Sequence, residues 1–166
     1  MANRIHKISA TDFPTDGSSL SVSLDGSNNY YFIARNVAAA ATGTLEMRLN
    51  VGGSPVTNST YDSYMRVGTS STNFVDEHNT DEASVKIQYN ALNTNSDNNF
   101  WGMIFAANEA DATYFFVKGA GTQGSTLYNT LVGARLQEDS VVNGFQILTS
   151  GATNFGQGKL IVYGMA

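Results

Sequence analysis

Leu20-Ser21-Val22-Ser23-Leu24 alternates apolar and small polar residues and runs into Asp25-Gly26, a dipeptide that tolerates positive φ and suits a tight turn. A period of two puts Leu20, Val22 and Leu24 on one face and the serines on the other, as in a strand with one face buried and one wet. Working outward, Thr44-Leu45-Glu46-Met47-Arg48-Leu49 repeats the pattern, with Leu45, Met47 and Leu49 inward, and Gly52-Gly53-Ser54-Pro55 closes it. Tyr30-Tyr31-Phe32-Ile33-Ala34 reads as a strand buried on at least one face. Residues 61–67, 83–89, 100–106, 113–117, 128–136, 142–148 and 159–163 are further strand candidates, punctuated by Gly, Asn, Asp and Ser at intervals of roughly ten residues. Glu109-Ala110-Asp111 marks the clearest hairpin, between 100–106 and 113–117. This rhythm predicts an all-β fold, an antiparallel β-sandwich of about 8–10 strands.

Three segments read as irregular. Val37-Ala38-Ala39-Ala40-Ala41 favours a short helical turn or loop, since Asn36 and Gly43 bracket too few residues for a stable helix. Residues 93–99 are a polar loop by content, and 119–124 a flexible one. Residues 1–13 read as an N-terminal arm ahead of a single sandwich domain at 14–166. The arm carries Arg4, His6 and Lys7 and is the candidate particle anchor.

The 166-residue chain is long enough for one core and has no cysteine, which removes disulfides, thiolate zinc sites and cysteine nucleophiles. Charged residues make up only 14%, against about a quarter in ordinary soluble domains, so the surface is neutral and rich in hydrogen-bonding groups. A net charge of −5 without a basic stripe opposes nucleic-acid binding. The longest apolar runs, 100–107 and 160–165, fall well short of the roughly 20 residues of a membrane-spanning helix, so no membrane insertion is expected. The opening MANRIHKISATDF lacks an apolar segment of the secretory kind.

Candidates for chemistry are few. Asp76, Glu77, Asp81 and Glu82 gather around His78 and could supply oxygen ligands to calcium, but their spacing departs from an EF-hand loop and a solvated acidic loop accounts for them better. No G-x-S-x-G occurs, and neither histidine lies in a nucleophile motif. Glu46, Asp62, Glu109 and Asp111 are carboxylates that a glycosidase could use, yet they read equally well as strand-surface and turn residues. Gly119-Ala120-Gly121-Thr122-Gln123-Gly124 matches G-x-G-x-x-G without the βαβ unit that gives the motif meaning. The sequence therefore predicts no enzyme and no cofactor. Trp101, in a very apolar strand, is expected to pack in the core. The competing role is a sugar-stacking platform beside Asn98 and Asn99. Tyr61, Tyr64 and Tyr128 at strand starts could each present a ring to a partner.

Val142-Asn143-Gly144-Phe145-Gln146-Ile147-Leu148 is followed by a short Ser/Gly/Asn loop and then by Lys159-Leu160-Ile161-Val162-Tyr163-Gly164-Met165. With these segments the C-terminal third resembles a bacteriophage virion β-sandwich module of the capsid decoration or tail-fibre type. Leu45-Glu46-Met47-Arg48-Leu49 followed by Ser59-Thr60-Tyr61-Asp62 is similar to a second feature of that group. The resemblance implies a jelly-roll-like fold, with Phe145 and Tyr163 as core aromatics on a final hairpin and with close strand approach at Gly144 and Gly164. It implies a non-enzymatic structural protein of the virion: a capsid decoration, cement or knob subunit, working as a homo-oligomer with a trimer expected and partnered by capsid or tail proteins. The alternative is a tail or fibre-tip adhesion module that binds host surface carbohydrate.

Overall fold

Leu45, Met47 and Leu49 are fully buried while Glu46 and Arg48 stay partly exposed, so the alternation of this strand is the alternation of the sandwich itself. The computed structural model describes residues 4–70, 74–88, 97–109, 112–123 and 125–165. Among them lie thirteen strands: β1 (Ile5–Asp12), β2 (Ser19–Ser23), β3 (Asn29–Ala39), β4 (Leu45–Val51), β5 (Ser54–Pro55), β6 (Tyr61–Thr69), β7 (Val75–Glu82), β8 (Val85–Lys86), β9 (Asp97–Phe105), β10 (Thr113–Gln123), β11 (Thr126–Leu136), β12 (Val142–Thr149) and β13 (Phe155–Met165). They form an eight-stranded sheet in the order β1-β13-β3-β9-β10-β11-β6-β7 and a five-stranded one, β2-β12-β4-β5, in which β8 also pairs β4. All pairings are antiparallel.

The strand order is that of a jelly roll. First pairs with last and second with next to last, and the first four strands alternate between the sheets, so that β1-β13-β3-β9 faces β2-β12-β4-β5/β8. β6–β7 and β10–β11 are additional hairpins that widen the larger sheet beyond β9. One continuous core joins both sheets. Phe32 on β3 and Phe145 on β12 meet across it with ring centroids 5.2 Å apart, and Phe13 closes one end against Phe155 at 4.6 Å.

The antiparallel sandwich stands as expected, and several details differ. Residues 5–12 are not an arm ahead of the domain but an edge strand registered along β13 from Ile5↔Met165 to Asp12↔Lys159. Polar residues on both faces hide such a strand from periodicity, and they suit an edge that must not recruit neighbours. Residues 37–39 extend β3, because β9 and β13 supply ladder partners that overrule the helical preference of alanine. Residues 97–99 belong to β9 and 119–123 to β10, where loops were expected. The last two strands form no hairpin: β12 pairs β2 and β4, β13 pairs β1 and β3, and they lie in different sheets. The Asp25-Gly26 turn likewise crosses between sheets, with Gly26 at φ 86°.

The glycines of the resemblance do permit close approach. A Cβ on Gly144 would sit 2.7 Å from the Val22 carbonyl oxygen, and one on Gly164 2.7 Å from the His6 ring.

Candidate functional site

The outward positions of a one-sided antiparallel sheet are normally polar. In the middle of the eight-stranded sheet they are not. β3 points Tyr31 and Ile33 outward, β13 Ile161 and Tyr163, β9 Trp101, Met103 and Phe105, and β10 Tyr114 and Phe116. Cross-strand register aligns Tyr163, Tyr31, Met103 and Phe116 in one row, with Ile161, Ile33, Trp101 and Lys118 in the next. The rings touch in sequence: Tyr163–Tyr31 at 6.3 Å, Tyr31–Trp101 at 5.9 Å, Trp101–Phe116 edge-on at 5.2 Å and Phe116–Phe105 stacked at 6.0 Å. A five-ring layer thus crosses four strands on the side away from the core.

Trp101 is 36% exposed and belongs to this layer rather than to the core. Tyr163 is half-buried in the same layer, whereas Phe145 is the core aromatic expected of it. Asn99 shares the outer face, where its side-chain oxygen accepts the Asn36 N–H at 3.2 Å. Asn98 points the other way. It is 2% exposed, donates to the Val37 carbonyl at 3.0 Å and accepts from Gln88, so it is an internal bracket and cannot meet a ligand beside Trp101.

The acidic stretch is not a loop. As β7 it sends Asp76 outward to Arg66 at 3.1 Å, while Glu77 turns to the opposite side and pairs with Lys86 at 3.5 Å. Asp81 sits at φ 56° near the strand's end, followed by exposed Glu82. Glu77 and Glu82 line a cavity of about 250 Å³ with Glu46 and Ser84, whose hydroxyl donates to Glu46 at 2.7 Å. Among the described residues no cluster of three metal-capable side chains forms.

Of the basic trio, Arg4 is exposed just before β1, Lys7 is exposed opposite Tyr163, and His6 is bonded to Asp25. Asp25 also accepts from Tyr30 and the Ser27 N–H, each at 3.2 Å. Burial pushes the Asp25 carboxyl up, but the hydrogen bonds from His6, Ser27 and Tyr30 outweigh it and bring it down to about 2.

A second feature of the outer face is not evident from the sequence. Gly133 on β11 lies opposite Tyr64 on one side and Phe116 on the other, and nothing comes within 4 Å of where its Cβ would be. The resulting depression, about 250 Å³, is walled by Tyr64, Tyr114 and His78. Along its rim Arg135 donates to Asp62 from Nε at 2.9 Å and from a terminal nitrogen at 2.8 Å, and Gln137 donates to the other Asp62 oxygen at 2.8 Å. The Arg135 guanidinium holds the Asp62 carboxyl below its ordinary value. The trace of the depression in the sequence is a glycine inside a strand, Leu131-Val132-Gly133-Ala134-Arg135, which by itself names none of the walls.

No family model and no curated protein sequence matches the chain. Among solved structures it is similar to the CBM2 module of the evolved Dit of Lactobacillus casei BL23 phage J-1, with a TM-score of 0.39 and 16% identity over 89% of this chain and 69% of that one. It is also similar to a fructofuranosidase from Schwanniomyces occidentalis complexed with fructosylnystose, at a TM-score of 0.35 and 11% identity over 99% of this chain and 35% of that one.

Proposed function

We propose that this chain is a non-enzymatic structural protein of a bacteriophage virion, a decoration or cement subunit that associates with copies of itself and with the particle through the outer face of its eight-stranded sheet. The observation that carries the proposal is the five-ring layer. Rings from Tyr163 to Phe105 cover four strands on a face that would otherwise meet water. Interface cores are depleted in charge and enriched in aromatics and methionine, with charge kept to the rim. The same arrangement holds here, where Lys7, Lys118 and Arg35 border the rings. A strand apolar on both faces, such as Phe100-Trp101-Gly102-Met103-Ile104-Phe105, is what a sheet covered on both sides requires. The sequence resemblance to virion modules supports the setting.

Sedimentation of the purified full chain tests this. A homo-oligomer, expected to be a trimer, should dissociate in Trp101→Glu with the thermal midpoint of the monomer unchanged. A wild-type chain that stays monomeric at millimolar concentration would overturn the proposal.

A second reading, adhesion to host surface carbohydrate, is favoured by the outward pairing of Trp101 with Asn99 on one strand. It predicts glycan binding that disappears in Trp101→Ala.

A further inference from the structure

The depression over Gly133 differs in kind from the ring layer beside it. It is a shallow, open depression whose floor is backbone, and its polar groups are already paired with one another. Small-molecule pockets begin at roughly 300 Å³, so about 250 Å³ corresponds to one ring-sized unit rather than an extended ligand. Tyr64 and Tyr114 are 46% and 51% exposed, although a buried phenol ring would be the cheaper arrangement on a sheet so rich in apolar partners.

We propose that this depression binds a single neutral pyranose unit of a surface polysaccharide. The apolar C–H face of the sugar would stack on Tyr64 or Tyr114, over the space that the missing Gly133 side chain leaves open. Its hydroxyls would meet the Asp62–Arg135–Gln137 network, whose members are already paired at 2.8–2.9 Å and need not be gathered on binding. The charge of Arg135 is matched by Asp62, which leaves no uncommitted cation in that pair for an acidic sugar and sets the preference for a neutral one. The site lies on β6, β7, β10 and β11 and does not use Trp101 or Asn99.

The test is an array of neutral and acidic oligosaccharides, followed by titration calorimetry with methyl glucoside, methyl galactoside and methyl mannoside on the full chain. Gly133→Val is the informative variant. Its Cβ stands more than 4 Å from any other atom, its methyls reach over the floor, and Gly133 has no positive φ to strain, so folding should be retained. Binding is expected for at least one neutral glycan. It should be lost in Gly133→Val, fall by about tenfold in Tyr64→Ala or Tyr114→Ala, and be unchanged in Trp101→Ala. No binding to any neutral glycan, full binding by Gly133→Val, or binding confined to acidic glycans would each overturn it. The oligomeric state of Gly133→Val, measured alongside, separates this site from the self-association of the ring layer.

Discussion

The Tyr61 hydroxyl, on the large sheet, accepts the Leu49 backbone N–H of the small sheet at 2.8 Å, and lies 3.4 Å from the carbonyl oxygens of Leu49 and Val56. A fully buried phenol therefore ties the two layers where β5 and β8 are too short to continue the ladder along β4. Burial pushes its hydroxyl up to about 12, so it remains a donor at any ordinary pH. Tyr61→Phe leaves a buried backbone N–H without its acceptor and should cost about 1–3 kcal/mol. Tyr64→Phe, on the exposed face, should stay within about 0.5 kcal/mol. Urea unfolding of the two variants checks the contrast, and equal midpoints would contradict it.

Such cross-sheet ties explain which parts of the fold were legible. Leu20–Leu24 and Leu45–Leu49 alternate because water wets one face of each, and that periodicity survives in the sequence. The strand through Trp101 carries apolar residues on both faces, so no periodicity reveals which way the indole points. The structure resolves it through Gly102, which lies inward between Phe100 and Ile104. Residues 119–123 look like a loop because glycine is usually punctuation. Gly119 and Gly121 are instead inward-facing strand positions: Phe100 crowds the room a side chain would need at Gly119, and the amides of Gln88 and Asn98 fill it at Gly121. The Gly133 depression was equally hidden, since its walls come from four strands whose neighbours in space are distant in sequence.

Acid should loosen the β1 edge. Asp25 has a carboxyl brought down to about 2 from an ordinary 3.8, against burial, by its bonds with His6, Ser27 and Tyr30. A depressed carboxyl contributes stability that is fully present above about 3.8 and is lost as pH falls through about 2. The wild-type unfolding midpoint should therefore decline between these values more steeply than that of Asp25→Asn. Urea midpoints of both proteins over that window measure the difference, and parallel curves would show that the cluster adds nothing. Because Asp25 is partly exposed, the difference should shrink in high salt.

Two glycines on the large sheet should respond in opposite ways to the same added methyl group. A Cβ on Gly102 would collide with the Phe32 ring and lie 2.5 Å from the Phe116 carbonyl oxygen, and neither can yield without disturbing the Phe32–Phe145 contact or the β9–β10 ladder. Gly102→Ala is therefore an overpacking change and should destabilise by about 1–3 kcal/mol. Gly133→Ala meets open space and should be neutral or slightly stabilising, since alanine restricts the unfolded chain more than glycine does. Thermal unfolding of the two variants at equal concentration measures both effects. If Gly102→Ala matched the wild type, the close seating of β9 on Phe32 would be wrong, and with it the inward–outward alternation that sets Trp101 on the outer face.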